Sequence, residues 1–204
     1  TCAAETIFVF LHFLKNNTMN FAIIGYGKMG RTIERIAIYR GHNVGLIVDI
    51  DNQADLNASN LKKIDVAIEF TTPATAFSNV MECLRAKVPV VCGSTGWLDR
   101  LPEAKSFAEQ GGALFYASNF SIGVNIFFRI NRQLAKMMNS AEGYTVSQTE
   151  IHHTQKKDAP SGTAITLYEV IAQELKGIEG WTLEPERAPN TMPITAIREG
   201  DVTA

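Results

Sequence analysis

Histidines, lysines and a helix start lie close together in residues 150–164. His152 and His153 are adjacent, and Lys156 and Lys157 follow shortly after. Imidazole side chains give and take protons near neutral pH, and ammonium groups attract anions. Grouped in one short segment, these side chains could hold a small anion beside an acid–base group.

A helix start completes this segment. Pro160-Ser161-Gly162-Thr163 indicates a loop that runs into a helix, with Ser161 as its N-cap. The first backbone N–H groups of a helix have no partners within it, and the helix dipole favours negative charge there. We therefore predict a binding site for a carboxylate. The competing interpretation, in which the histidines and lysines are solvated surface residues, fits any one of them but not the group as a whole.

Length and composition describe an ordinary globular chain. Its 204 residues suffice for one large domain or two small ones. A net charge of −2 provides no basic field for nucleic acid, and no run of basic residues suggests a membrane surface. The cysteines, Cys2, Cys83 and Cys92, are too few for a disulfide framework or a zinc site. We expect no bound metal and a reducing, cytoplasmic setting.

We interpret residues 1–18 as an extension that adds nothing to the fold. Thr6–Leu14 is apolar but too short to span a bilayer. It is similar to the core of a signal peptide, yet Glu5 stands where a basic residue is usual and no small-residue cleavage site follows. Met19 directly precedes the first convincing strand. A targeting signal is the alternative that this pattern leaves open.

A glycine-rich turn follows the first predicted strand. Asn20–Ile24 leads into Gly25-Tyr26-Gly27-Lys28-Met29-Gly30, which matches G-x-G-x-x-G, and then into a helical pattern that ends at Gly41. A second apolar run, Val44–Val48, ends in Asp49. A strand, this turn, a helix and an acidic residue about twenty positions on together indicate a dinucleotide site.

Each residue of this motif has an expected role. Gly25 allows a tight turn, Gly27 lets the backbone approach the pyrophosphate, and Gly30 lets the helix pack against the strand. Asp49 would accept hydrogen bonds from ribose hydroxyls, and its charge would repel a 2′-phosphate. NADH is favoured over NADPH on this ground, but the basic Lys28 and Arg31 nearby in sequence offset part of the repulsion, and both cofactors stay candidates.

Strands and helices continue to alternate up to residue 121. Asp65–Phe70, Val88–Cys92 and Ala113–Tyr116 are predicted strands, each followed by a short turn, with helices between them. This order predicts an α/β, Rossmann-type domain over residues 19–121, with a doubly wound parallel sheet. Ligands of such sheets bind beyond the carboxyl ends of the strands, although each turn taken alone could be a plain turn. The candidate cofactor contacts there are Phe70, Thr71, Gly93, Ser94, Thr95, Ser118, Asn119 and Phe120.

Residues 122–204 form a second, α+β domain in this interpretation, and it carries the histidine segment. A helical pattern runs from Ile122 to Met138. Tyr144–Ile151 alternates like a strand and delivers His152 and His153 at its end. The later elements that we expect are a helix over 163–175, an irregular loop over 178–193 and a last strand over 194–198.

Several segments resemble one enzyme family. The segment from Glu150 to Ala164 is similar to the signature of the dihydrodipicolinate reductases, which act as 4-hydroxy-tetrahydrodipicolinate reductases in diaminopimelate and lysine biosynthesis. The glycine turn through Arg31, Gly93-Ser94-Thr95-Gly96 and Ala117–Ser121 resemble the family's nucleotide-site segments. The similarity runs from about Met19 to the last residue, and the long signature segment makes it specific.

The resemblance implies the reaction and the catalytic residues. A nicotinamide cofactor, NADH or NADPH, would deliver hydride to a cyclic unsaturated dicarboxylate, with loss of water. His152 matches the family's acid–base histidine, and Lys156 matches its proton donor. A cationic acid near the ring nitrogen would neutralise the charge that hydride addition creates there.

Further roles are implied for the binding residues and for the assembly. His153 matches a substrate contact, Gly162 and Thr163 match residues that hold a substrate carboxylate, and we add their N-cap, Ser161. Lys28 and Met29 lie in the matched nucleotide segment. Family members continue past the point where this chain ends and form homotetramers, and we expect that the second domain is incomplete in the chain as given.

Two other functions remain open at this stage. A dinucleotide-binding regulator without catalysis would use the glycine turn but would not need paired histidines and a lysine before a helix start. A related reductase that acts on another small carboxylate would keep the same architecture. Failure of pyridine-2,6-dicarboxylate, a flat mimic of the substrate, to inhibit would favour that second alternative.

Overall fold

The computed structural model describes residues 18–156 and 158–200. These residues form two compact units that divide after Ile122. The predicted extension over residues 1–18 therefore lies almost wholly outside the described residues, and so do Lys157 and residues 201–204.

The described part of the first unit alternates strands and helices along the chain. Its strands are β1 (Asn20–Ile24), β2 (Asn43–Val48), β3 (Val66–Glu69), β4 (Val90–Cys92) and β5 (Leu114–Tyr116). Its α-helices are α1 (Lys28–Tyr39), α2 (Ala58–Leu61), α3 (Pro73–Arg85) and α4 (Leu101–Ala108), with short 3₁₀ helices at Ile50–Asp55 and Leu98–Arg100. All the strand pairs are parallel, in the order β2-β1-β3-β4-β5. This confirms the predicted Rossmann-type sheet.

Both faces of the central strands β1, β3 and β4 are buried, which explains why these strands are largely apolar. In β1, Phe21 and Ile23 face a cluster that includes Ile33 of α1, whereas Ala22 and Ile24 face a second cluster with α3 and α4. Side chains that alternate between two covered faces are therefore mostly apolar, and a buried polar residue there needs hydrogen-bond partners. Each large side chain that is fully buried in this way contributes about 1.5–3 kcal/mol.

The order in which strands are added to the sheet reverses at β1, and glycines allow backbone segments to approach closely at this point. The chain goes from β1 to β2 on one side and then to β3 on the other, which opens a crevice at the carboxyl ends of β1 and β3. Gly25 has a φ of +93°, and its N–H donates to the Val48 carbonyl at 2.8 Å. A methyl group at Gly25 would overlap the Phe70 carbonyl, and one at Gly30 would overlap the Gly25 carbonyl. The expected roles of Gly25 in the tight turn and Gly30 in close packing agree with this geometry.

The second unit has a smaller parallel sheet with two helices. Its described elements are α5 (Ile122–Met138), β6 (Gln148–His152), α6 (Gly162–Glu174), β7 (Gly180–Leu183) and β8 (Thr191–Arg198). The strand order is β6-β8-β7. A small core of Ala135, Ile171, Met192 and Ile194 joins the helices to the central strand β8.

Two sequence predictions for this unit were wrong in their boundaries. The strand predicted at Tyr144–Ile151 begins only at Gln148 and includes His152 as its last residue. The irregular loop predicted over 178–193 contains β7 and the first residues of β8. Its proline, glutamate and glycine content indicated a loop, but pairing of β7 with β8 supplies the backbone hydrogen bonds, and local composition does not report that pairing.

We expect Gly25→Ala to destabilise the first unit by about 2 kcal/mol or more, because the left-handed backbone and the Phe70 carbonyl both oppose a side chain. Gly27→Ala is the matched control, since nothing lies within 4 Å of the position of its added methyl group. Its cost should stay below about 1 kcal/mol. Urea unfolding followed by circular dichroism measures both, and equal losses in the two variants would contradict the assignment.

Candidate active site

The start of α1 fits the phosphates of a dinucleotide. Gly27 is its N-cap, no side chain of the described residues caps it, and space is open around the Gly27 α-carbon. The first N–H groups of this twelve-residue helix are therefore accessible, and the dipole favours an anion there. Lys28 is exposed beside them, and Met29 is half-buried.

The turns after β3 and β4 are joined by hydrogen bonds. The Thr71 N–H donates to Ser94 Oγ at 2.7 Å and to a carboxylate oxygen of Glu69 at 3.1 Å. A methyl group at Gly93 would overlap the Phe70 ring, so Gly93 provides the space in which that ring lies. The structure thus brings two of the three predicted cofactor turns into direct contact.

Aromatic packing adds the third turn. The Phe70 and Phe120 ring centroids lie 5.8 Å apart, within the range of favourable aromatic contacts. Asn119 accepts a hydrogen bond from the Ser121 N–H at 2.8 Å, which sets the path of the chain after β5. Ser118 is exposed at the same edge of the sheet, as is Thr95 after β4, and their side chains are accessible to a ligand.

Glu69 is a buried carboxylate that sequence reasoning did not assign. It accepts hydrogen bonds from the N–H and hydroxyl of Thr71 and from the thiol of Cys92. Burial, and secondarily the charge of Glu69, raises the pKa of the Cys92 thiol well above its usual range, and the same causes raise that of Cys83 to about 12. Neither buried thiol can supply a thiolate nucleophile near neutral pH.

Asp49 lies directly after β2, the strand beside β1. It is exposed, and its N–H donates to Asn52 Oδ1 at 2.7 Å. That bond fixes the backbone of the turn in which Asp49 lies. The residue is thus at the carboxyl edge of the sheet, as expected for a ribose contact.

In the second unit, the carboxylate of Glu150 is surrounded by hydrogen-bond donors. The Ser161 N–H reaches its two oxygens at 3.0 and 3.1 Å, and Arg198 Nη2 lies 3.2 Å from Oε1. His152 Nε2 lies 3.3 Å from Oε2. Burial by itself would raise the pKa of Glu150, but these partners outweigh it and hold that pKa below its ordinary value. Glu150 is therefore ionised, and it links His152 to the start of α6.

Arg198, the last residue of β8, connects the Glu150 carboxylate to the loop that carries Lys156. Its guanidinium donates to the backbone carbonyls of Lys156 and Asp158 as well as to Glu150. It also donates to the Ile197 carbonyl at 2.9 Å. The planar fork of an arginine suits several acceptors in fixed directions. The loop that carries Lys156 is therefore tied to Glu150.

The ammonium group of Lys156 contacts Asp158. The two oxygens of this carboxylate lie 2.8 and 3.0 Å from Lys156 Nζ. Burial would raise the pKa of Asp158, but the ammonium group and Arg198 outweigh it and lower that pKa. The lysine side chain is 25% exposed, so it is accessible while held.

The start of α6 has the geometry that the sequence predicted. Ser161 is the N-cap, and its Oγ accepts a hydrogen bond from the Ala164 N–H at 3.1 Å. Ser161 is buried and its N–H is bound by Glu150, so these contacts hold it at the helix start. Gly162 and Thr163 are half-buried, and as the first helical residues they have no intrahelical acceptor for their N–H groups.

Reasoning from the sequence assigned no role to Glu150 or Glu69, although each has a detectable signal in the sequence. Glu150 and His152 are two residues apart on a strand, so their side chains lie on one face. Glu69 is an acidic residue in an otherwise apolar buried strand. Arg198 has no such local signal, because its role depends on contacts with residues 40 or more positions away. Asp158 binds Lys156 only two residues away, and it lies within the segment that the sequence already singled out. His153 directly follows His152 in the chain and is half-buried.

No group of three or more potential metal ligands lies together among the described residues, and no helix in that part of the chain is long and apolar enough to span a bilayer. A cavity of about 850 Å³ in the second unit is lined by the ends of α5 and α6 and by residues 144–147. Neither His152 nor Lys156 lines this cavity, so it is separate from the candidate active site.

Comparison with known proteins identifies the family. The family model described as dihydrodipicolinate reductase, N-terminus, matches residues 19–120. The model described as dihydrodipicolinate reductase, C-terminus, matches residues 123–204. The chain belongs to the dihydrodipicolinate reductase family. The family that the signature segment indicated is thereby confirmed.

Individual members of the dihydrodipicolinate reductase family agree with this assignment. A 4-hydroxy-tetrahydrodipicolinate reductase from Christiangramia forsetii is 45% identical over 90% of this chain and 76% of its own length. Those from Pseudoalteromonas atlantica and Neisseria meningitidis serogroup C are 36% identical. They are matched over 79% and 83% of this chain, but the chain spans only 64% of each of them.

A solved dihydrodipicolinate reductase shares the fold. The dipicolinate-bound enzyme from Paenisporosarcina sp. TG-14 has a TM-score of 0.63 and 26% sequence identity to this chain. The match covers 89% of this chain and 79% of that one. This likeness agrees with the predicted α/β architecture.

We expect Glu150→Gln to lower the free energy of unfolding by about 3 kcal/mol at pH 7, because Arg198 would lose its buried counter-charge. The pKa of Glu150 is lower in the folded chain than its ordinary value of 4.5. The ionised group therefore stabilises the fold above that pH, and this stabilisation is lost as the pH falls through the folded pKa. The difference between variant and wild type should shrink below pH 4.5.

Urea unfolding at several pH values measures this difference. Glu174→Gln is the matched control, because its contact with Arg132 is longer, at 3.5 Å, and more exposed. Its effect should stay below about 1 kcal/mol. A loss in Glu150→Gln that is the same at neutral and acid pH would contradict the role of the ionised carboxylate.

Proposed function

We propose that the protein reduces 4-hydroxy-tetrahydrodipicolinate to tetrahydrodipicolinate in diaminopimelate and lysine biosynthesis. Family membership supports this reaction. One observation links the reaction to particular residues: three groups of the second unit are tied to the carboxylate of Glu150. These are His152, the loop of Lys156 and the start of α6.

A nicotinamide dinucleotide is the cofactor of this proposal. Its fit rests on the first unit, where Gly25 and Gly30 leave no room for side chains and the start of α1 at Gly27 is open. The bound reduced cofactor would supply the hydride. The residues proposed to hold it are Gly25, Gly27, Lys28, Met29, Gly30, Asp49, Phe70, Thr71, Gly93, Ser94, Thr95, Ser118, Asn119 and Phe120.

A substrate carboxylate would bind at the start of α6. The N–H groups of Gly162 and Thr163 are free of helical partners, and the dipole adds partial positive charge. Ser161 caps the helix and keeps this end in place. His153, half-buried beside the segment, is the proposed second contact to the dicarboxylate.

His152 and Lys156 are the proposed acid–base pair. Hydride addition to a conjugated imine places negative charge on the ring nitrogen side, and a nearby cationic acid neutralises it. The Lys156 ammonium group is partly accessible and can give its proton there. His152, bonded through Nε2 to Glu150, is held for proton exchange at its other ring nitrogen.

The assembly and the location of the protein are parts of the same proposal. We propose that it acts as a homotetramer in the cytoplasm, as the resemblance and the cysteine content indicated. A small dicarboxylate is its ligand, and we propose no nucleic-acid partner, in line with its net charge of −2.

We expect His152→Gln and Lys156→Ala each to lower kcat by about 10²–10⁴ while cofactor binding stays intact. The assay is substrate-dependent oxidation of NADH or NADPH, with pyridine-2,6-dicarboxylate as an expected inhibitor. Lys176→Ala, an exposed lysine in the same unit, is the control and should retain full activity. Cofactor binding by the wild type without any substrate-dependent turnover would refute the proposed reaction.

We expect NADH to be preferred, and Asp49→Ser to raise kcat/KM for NADPH relative to NADH by about tenfold. The reason is that a carboxylate at the ribose end of β2 repels a 2′-phosphate. Asp99→Asn removes an exposed charge elsewhere in the first unit and should leave the ratio unchanged. An unchanged ratio in Asp49→Ser would show that Asp49 does not contact the ribose.

A further inference from the structure

Three parts of the proposed active site meet at the carboxylate of Glu150. Its side chain is only 8% exposed, and the contacts given above are all with hydrogen-bond donors. One oxygen faces Arg198, one faces His152, and the Ser161 N–H lies within reach of both. The positions of His152, of the loop that carries Lys156 and of the start of α6 must therefore all depend on this carboxylate.

The contact with Glu150 decides which nitrogen of His152 carries the hydrogen. An ionised carboxylate can only accept, so the Nε2 atom that faces it must donate. In the neutral ring the lone pair then belongs to Nδ1. This atom is buried, and no group among residues 18–156 and 158–200 bonds to it. Glu150 thus leaves Nδ1 as the ring nitrogen that can take a proton.

Arg198 connects Glu150 to the backbone of Lys156. In the pairing of β6 with β8, Arg198 lies opposite His152. Its side chain, 19% exposed, reaches the carbonyls of Lys156 and Asp158 and the carboxylate of Glu150. The path of the backbone from which the lysine projects is therefore set by an ion pair and not by the loop alone.

We propose that Glu150 and Arg198 are the positioning pair of this active site. The inference rests on the proposed function. Glu150 sets the tautomer of His152 and holds Ser161 at the start of α6, while Arg198 sets the backbone of Lys156. Neither side chain contacts the substrate, and both act through groups that do.

A purely structural ion pair would behave differently. Its loss would lower stability, but it would leave the imidazole tautomer unchanged in the molecules that remain folded. Positioning requires that the tautomer and kcat change while the first unit still binds its cofactor normally. The tautomer therefore separates the two roles.

The first test needs no substitution in the pair. With ¹⁵N-labelled histidine, the chemical shifts of the ring nitrogens distinguish the two neutral tautomers from each other and from the charged ring, so the tautomer is read at a pH where the spectrum shows the neutral ring. The chain has 4 histidines, and the signal of His152 is the one lost in His152→Gln. We expect the Nε2–H form in the wild type. A dominant Nδ1–H form would overturn the proposal, whether or not the protein is an active reductase.

The second test compares Glu150→Gln, Arg198→Lys and the control Glu174→Gln. Glu150→Gln should mix the tautomers and lower kcat by about tenfold or more, with KM for the nicotinamide cofactor within about twofold. Arg198→Lys should lower kcat and keep the tautomer, and Glu174→Gln should change neither.

A folded Glu150→Gln protein with the kcat and the tautomer of the wild type would overturn the proposal. Should that variant fail to fold, the tautomer of the wild type and the kcat of Arg198→Lys decide the question, and wild-type kcat in Arg198→Lys would count against the pair. Absence of turnover in the wild type would refute the proposed function instead, and it would leave the tautomer test unaffected.

Discussion

An ionised carboxylate that is removed from water must be matched by donors, and the second unit is organised around one such group. The carboxylate of Glu150 faces inward from β6. The free energy that it loses on leaving water is offset only if each of its oxygens accepts a hydrogen bond. The donors come from three places in the chain: Ser161, Arg198 and His152. Because all three must converge on one carboxylate, the strand ends and the helix start have little freedom relative to one another.

The first unit depends on a steric constraint instead of an electrostatic one. At the point where the sheet changes direction, the turn after β1 passes against the end of β3. Gly25 and Gly30 are needed there because a methyl group at either would overlap a backbone carbonyl. The result of both constraints is similar, since each unit presents an accessible helix start, that of α1 or that of α6. A helix start is suited to phosphate or carboxylate groups.

Much of this organisation follows from local patterns in the sequence. The alternation of apolar strands and helices predicted the parallel sheet, since strands buried on both faces are apolar along most of their length. The glycine spacing predicted the turn after β1, and Ser161 before a helical pattern predicted the N-cap. The two-residue period of a strand would also have paired Glu150 with His152. The prediction failed over 178–193, where β7 forms because β8 is beside it and not because of its own composition.

The sequence by itself determined the family, the fold class and the residue types available for chemistry, because these depend on periodicity and on a long specific segment. Only the tertiary structure decided how those residues are held. Arg198 is far from Glu150 along the chain, yet strand pairing and the cost of a buried charge bring the two together. Contacts of this kind arise from the whole sheet and leave no periodic or compositional trace at either residue.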